Sequence, residues 1–262
     1  MRHILFTTTL LLTSLMAKDI DPSNPTQMNT SFNPTVEYQS YNANNQEAYA
    51  NTLVKLEGQV SGPGVLLLAE VAYAKSSFNG DHGIADSRLR FFHLPYSNSS
   101  EDAVVNAFGW SVDTFIPTGD YSEKLGSGAL VINPGIVSAH NFSWGALYPN
   151  LMYEYTIAVD DTLKNELEAQ SLDNSSQALK FDLNISPKMP KGLWLMLTPS
   201  VTANIKNASD AVSFRAFGGF FFVSNQAIGL EAQYNFKVQD DGLNAVANGQ
   251  EYYAKVQYQY YF

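Results

Sequence analysis

From about Thr35 to Phe262 the chain alternates apolar and polar residues one for one in short segments, a period of two that a β-strand can use and a helix cannot. The C-terminus is the clearest case. Tyr252, Ala254, Val256, Tyr258, Tyr260 and Phe262 fall on one face, and Glu251, Tyr253, Lys255, Gln257, Gln259 and Tyr261 on the other. Ile228, Leu230, Ala232, Tyr234 and Phe236 repeat the pattern against Glu231, Gln233 and Asn235. Twelve such segments lie near residues 34 to 41, 51 to 60, 64 to 75, 87 to 94, 103 to 116, 129 to 139, 146 to 158, 178 to 186, 192 to 203, 212 to 223, 227 to 237 and 251 to 262. No segment beyond the N-terminus offers eighteen uninterrupted apolar residues, so helical membrane spans are excluded.

The connections between the segments alternate in length. Ser61 to Pro63, Pro95 to Asp102, His140 to Gly145, Pro187 to Lys191 and Ser224 to Gln226 are short. Interleaved with them are Asn42 to Ala50, Ser76 to Asp86, Pro117 to Gly128, Asp160 to Gln177, Asn204 to Ala211 and Val238 to Gln250, mostly longer and richer in Asp, Asn and Gly. Short turns at one end, long loops at the other and an even strand number describe an all-β, antiparallel up-and-down transmembrane β-barrel of about 12 strands, with both termini on the short-turn side. Closure leaves no sheet edge, which hydrocarbon could not satisfy. A secreted β-sandwich also alternates, but its outer faces would be rich in Lys and Glu, and these faces are not.

Composition fits that placement. Only 15% of the 262 residues are charged, below the roughly 25% of a soluble domain, while 15 Tyr and 16 Phe supply an apolar coat. The absence of Cys removes disulfides, thiolate metal sites and a lipidated N-terminal Cys. A net charge of -10 excludes a nucleic-acid partner. Met1 to His3 and the apolar stretch Ile4 to Met16, ending at Ala17, form a secretory signal peptide, too short to span a bilayer. The division is then residues 1 to 17 as signal peptide, 18 to 33 as a periplasmic N-terminal segment and 34 to 262 as barrel. The Asn-, Pro- and Asp-rich segment 18 to 33 is either a plug or a disordered tail.

With the greasy face outward, the interior charges are Lys55, Glu57, Glu70, Arg88, Arg90, Asp113, Glu154, Lys180, Asp182, Arg215, Glu231 and Lys255, six of each sign. A pore selective for anions needs an excess of Arg and Lys, which this set lacks. The acidic surplus lies largely in the loops, at Asp81, Asp86, Asp120, Glu123, Asp160, Asp161, Glu166, Glu168, Asp173, Asp240 and Asp241, where it is either a solvated loop surface or a negative mouth that mildly favours cations and neutral molecules. Trp194 and Phe217 join the inward set, with Met196, Phe221, Leu66 and Leu68 on the same faces. Such side chains either line a path for an apolar solute or fill a narrow barrel.

Phe115-Ile116-Pro117-Thr118-Gly119-Asp120-Tyr121 is followed by Leu125-Gly126-Ser127-Gly128, Ile132-Asn133-Pro134, Trp144 and Tyr153-Glu154-Tyr155. Pro117 stops the strand, Gly119 permits a positive φ, Asp120 hydrogen-bonds its own turn, and Gly126 and Gly128 keep the loop compact. The order resembles the outer-membrane family known as the putative MetA-pathway of phenol degradation, over about residues 105 to 158. The resemblance implies a barrel that passes small, often aromatic or hydrophobic, organic compounds. Terminal Tyr258, Tyr260 and Phe262 resemble the signal read by the barrel-assembly machinery.

The expected function is therefore an outer-membrane channel for passive passage of small neutral or hydrophobic molecules. Its partners are lipid, lipopolysaccharide, the assembly machinery and a small organic solute. A closed structural or surface-interaction barrel is the alternative. An outer-membrane phospholipase would need a His held beside a Ser by a third polar group. His93 is the strand histidine, on the face of Leu89 and Phe91, with no matching Ser and Asn beside it. No catalytic residue, cofactor or metal ligand set is assigned.

Overall fold

The computed structural model describes residues 20–41, 48–98, 100, 103–239 and 250–262. The signal segment 1 to 17, residues 18 and 19, and Asp240 and Asp241 lie outside them. Among the described residues, twelve long strands close into one antiparallel barrel: β1 (Ser31–Tyr41), β2 (Tyr49–Gly62), β3 (Val65–Ser76), β5 (Ser87–Ser97), β6 (Ala107–Ile116), β7 (Ala129–Phe142), β8 (Gly145–Ala158), β9 (Ser175–Pro187), β10 (Leu193–Lys206), β11 (Asp210–Val223), β12 (Gln226–Gln239) and β13 (Gln250–Tyr261). The three-residue β4 (His82–Ile84) pairs with the loop end of β3. Each long strand pairs with its neighbours in sequence, and β1 seals the ring by pairing with β13 on one side and β2 on the other.

The strands hold 10 to 14 residues. At about 3.3 Å per residue and a tilt of about 40° they cover roughly 25 to 35 Å, the height of the apolar band of an outer-membrane barrel. Their outward positions are apolar: Val36, Val54, Leu56, Leu67, Val71, Leu89, Ile136, Leu151, Phe181, Val201, Leu230 and Val256 are all exposed. Aromatic residues gather where that band ends. Phe32, Phe142, Trp144, Phe220, Phe222 and Phe262 ring the short-turn end, and Tyr38, Tyr73, Tyr234 and Phe236 the loop end. A surface of this kind suits lipid flanked by two interfaces. Tyr258, Tyr260 and Phe262 stand on the outward face of β13, Tyr260 edge-on to Phe262.

Three local features depart from the sequence reading. The segment expected as a strand from 103 begins at Ala107, because Asn106 ties the preceding turn to Ser100 O and to Asn141 N. The long connection after β8 contains a helix, α1 (Asp161–Ala169), capped by the Asp160 carboxylate, which accepts from Thr162 N and Leu163 N. β1 starts at Ser31, and residues 20 to 30 fold back into the short-turn mouth.

Candidate functional site: the barrel lumen

The middle of the lumen is a belt of charge, because β-alternation turns every second residue inward and this chain places most of its mid-strand Asp, Glu, Lys and Arg residues there. Lys55 Nζ bridges Glu37 at 2.9 Å and Glu70 at 3.6 Å. Arg88 holds Asp113 through two bonds, Nε to Oδ1 at 2.8 Å and a terminal nitrogen to Oδ2 at 2.6 Å, and Arg90 binds the same carboxylate. Glu57 accepts from Asn33 at 2.8 Å and Gln59 at 2.7 Å. Next to this group on the ring, where Lys255 stands opposite Glu37, Lys255 pairs with Glu231 at 3.1 Å, and Tyr253 donates to the same carboxylate. Asn184 accepts from Thr198 at 2.9 Å and from Arg215 at 3.4 Å. Pairing at close range neutralises charge locally, so the belt carries little net field along the axis.

Apolar layers lie on both sides of the belt. Towards the short-turn end, Trp194 packs on Phe217 and Phe221 at ring-centroid distances of 6.1 and 5.3 Å, with Met196 and Ala227 in the same cluster. Gly219 and Gly229 permit this, since a Cβ at Gly219 would lie 2.5 Å from the Trp194 ring and one at Gly229 2.7 Å from the Phe217 ring. A second cluster at that end joins Leu66, Leu68, Phe92, Val137 and Tyr148. The N-terminal segment sits between them. Ser23 is buried with its Oγ 2.5 Å from Ser186 Oγ, Met28 packs on the Tyr148 cluster, and Asp21 is within electrostatic reach of Tyr148 on β8 and Tyr261 on β13. A cleft of about 260 Å³ remains between this segment, the β9–β10 turn, Trp194 and Phe221.

The loop end is covered by residues 117 to 128. β6 ends at Ile116 and Pro117 follows. Asp120 Oδ1 accepts from Ser122 N at 2.9 Å and Glu123 N at 3.3 Å, the turn expected of it. Gly119 does not take a positive φ, contrary to expectation; it is glycine because a Cβ there would lie 2.6 Å from Leu125 O. Gly128 does take one, at 67°. A Cβ on Gly126 would lie 2.5 Å from Asp86 Oδ1, so the loop closes tightly around the Asp86 carboxylate, which accepts from Gly119 N at 3.2 Å and Ser127 N at 2.8 Å. Thr118 Oγ1 donates to Ala85 O at 2.7 Å. Leu125 enters a cluster with Leu53, Ala72, Ala74 and Ala85 on the β2–β3 side. Tyr121 packs with Leu163 and Leu167 of α1 and donates to Glu166 at 2.6 Å. The Asn51 side chain donates to Lys124 O at 2.8 Å. Burial and the neighbouring Glu166 hold the Tyr121 phenol well above its ordinary value. The loop motif thus holds the loop across the mouth.

The fourteen inward residues named from sequence occupy the inward positions of β2, β3, β5, β6 and β8 to β13. Lys55, Glu57, Glu70, Arg88, Arg90 and Asp113 form one side of the belt; Lys180, Asp182, Arg215, Glu231 and Lys255, with Trp194 and Phe217 below them, form another. Glu154 stands on β8 between the two. Sequence reasoning missed Glu37, which is 5% exposed and is the nearer carboxylate to Lys55. Its signal was present in Thr35, Glu37 and Gln39 alternating with Val36 and Tyr38. It also missed a Ser–His contact: Ser138 Oγ lies 3.0 Å from His140 Nε2, and His140 Nδ1 lies 2.7 Å from Val104 O, on the outward face of β7. His93 Nδ1 lies 3.0 Å from Gly64 O, with its ring against Trp110.

No family model matches the chain, and neither does any curated protein. Among solved structures the chain is similar to an outer membrane channel from Pseudomonas putida F1, with a TM-score of 0.64 and 12% identity over 94% of this chain and 100% of that one. It is also similar to the translocator domain of the autotransporter NalP from Neisseria meningitidis (TM-score 0.55, 10% identity, 99% and 96% covered) and to the NanC porin (0.54, 8%, 88% and 98%). At these identities the likeness is one of fold.

Proposed function

We propose that the protein is an outer-membrane channel through which small neutral or hydrophobic organic molecules, aromatic ones included, pass passively. The carrying observation is the inner wall, where most of the charges are tied to one another and the surface next to them is apolar and aromatic. Such a lumen repels neither neutral nor apolar solutes and offers no excess of one sign to draw ions. The described inward set is Lys55, Arg88, Arg90, Lys180, Arg215 and Lys255 against Glu37, Glu57, Glu70, Asp113, Glu154, Asp182 and Glu231, which disfavours an anionic oligosaccharide. The likeness to an outer membrane channel and the resemblance to the phenol-degradation family point the same way. On this reading residues 1 to 17 direct export, the assembly machinery reads the C-terminal aromatic residues, and lipid and lipopolysaccharide surround the wall.

One observation favours a closed structural barrel instead: the protein's own chain occupies both mouths, at Ser23 to Met28 and at Tyr121 to Leu125. Influx of neutral solutes such as phenol and glycerol into proteoliposomes separates the two. Uptake above that of protein-free liposomes supports the channel; uptake equal to theirs, with a barrel whose gel mobility shifts on heating, supports the closed barrel.

A further inference from the structure

One sector of the lumen carries chemistry that the rest of the belt does not. Most of the belt is locked, since Lys55, Arg88, Arg90, Asp113, Glu231 and Lys255 each engage a charged partner. Between β9 and β11 the pairing is incomplete. Among the described residues, Asp182 Oδ1 and Arg215 Nε are shut off from solvent and have no hydrogen-bond partner, and Asp182 as a whole is 7% exposed. Strand register sets the two on either side of β10 and one inward position apart, within electrostatic reach of each other: Asp182 stands opposite Ser200 on β10, and Arg215 opposite Thr198. The next inward pair down is Met196 and Phe217, and the one after it Trp194 and Gly219. Two residues along a strand advance about 7 Å, so polar and aromatic surface meet within the span of one small molecule.

We propose that this sector is a binding station for a neutral amphiphile, whose hydroxyl or amide group engages Asp182 and Arg215 and whose apolar body lies on Met196, Phe217 and Trp194. A hydroxyl both donates and accepts, so once a small shift of these side chains uncovers the two atoms it serves either one, donating to Asp182 Oδ1 or accepting from Arg215 Nε–H. A carboxylate there faces Asp182 and Glu231, and an ammonium faces Arg215, Lys180 and Lys255, so each charged head meets like charge in a poorly solvated place. Buried polar atoms without partners are costly, and a ligand that satisfies them gains affinity in proportion. The station rests on the channel reading and gives it a preferred cargo: neutral over charged at equal size.

The test uses the chain without residues 1 to 17, refolded in detergent, with Trp110→Phe and Trp144→Phe leaving Trp194 as the sole tryptophan. Its fluorescence is titrated at pH 7 with three ligands of one shape: p-cresol, p-toluate and p-methylbenzylamine. The expected result is a saturable change with p-cresol at an affinity at least about tenfold above either charged analogue, a ratio equal to about 1.4 kcal/mol. Asp182→Ala is expected to lower p-cresol affinity by about the same factor. Equal affinities, or a non-saturating change of the kind micelle partitioning produces, overturn the proposal, as does an unaltered affinity in folded Asp182→Ala. The three-ligand comparison leaves the lumen residues native, so it stands even if Asp182→Ala fails to fold. Saturable binding without solute influx in proteoliposomes overturns the channel and leaves the station standing; influx without saturable binding does the reverse.

Discussion

Asp86 shows how one carboxylate governs a loop. Burial raises its carboxyl above the ordinary value, and the bonds from Ser127 and Gly119 offset that only in part. An acid whose value is raised in the closed loop holds its proton more tightly there than in the open one. Closure is therefore favoured most below the ordinary carboxylate range, near pH 4, and weakens as pH rises through the raised value. Channel conductance should rise between about pH 4 and pH 7, and Asp86→Asn, which stays neutral and still accepts, should flatten that rise. An unaltered pH profile in Asp86→Asn would remove Asp86 as the latch. The outward Ser138–His140 pair gives a prediction of silence. A serine nucleophile needs donors aimed at the developing oxyanion, and at this level of the wall the neighbouring residue on β8 is Pro149, which has no N–H. Serine-directed phosphonates should leave Ser138 unlabelled and phospholipid uncleaved; either reaction would revive the enzymatic reading.

At the scale of elements, the strands were legible and the pieces that close the barrel were not. A period-two pattern survives because each strand presents one side to the apolar exterior and the other to the polar and aromatic lumen, so every position is constrained. Helix α1 has only Leu163 and Leu167 to anchor it in an acidic stretch, too little for a 3.6-residue period to stand out. The N-terminal segment is held by Ser23, Asp21 and Met28, whose partners on β8, β9 and β13 are far away in sequence, so composition left plug and tail equally open. The interior candidates were legible for the same reason as the strands, Glu37 included, yet which charge pairs with which depends on strand register, and that is why the Lys55–Glu37 pair could not be read. Asp160→Ala removes the cap that accepts from Thr162 N and Leu163 N, and should cost α1 about 1 kcal/mol. Amide hydrogen exchange in residues 161 to 169 should speed up several-fold in that variant, and unchanged protection would mean that Leu163 and Leu167 alone hold the helix.

Taken whole, the molecule is a lipid-facing cylinder with three interior layers. Apolar contacts with the 117 to 128 loop lie at one end, paired charge in the middle, and aromatic surface with the N-terminal segment at the other. The charge layer helps to hold the barrel's shape, because removing one partner leaves the other without its counter-charge. Asp113→Ala would leave Arg88 and Arg90 facing each other without their shared carboxylate, and, with both guanidinium groups partly exposed, is expected to destabilise the barrel by about 1 to 3 kcal/mol. The temperature at which heating shifts its gel mobility reports that loss, and an unshifted temperature would show the pairing to be dispensable. Whether a path runs through the cylinder is decided by single-channel recording in planar bilayers, with and without residues 20 to 28. Small discrete current steps are expected from the intact barrel and larger ones once the segment between Trp194 and Tyr148 is gone. Folded barrels that stay silent in both forms would contradict such a path.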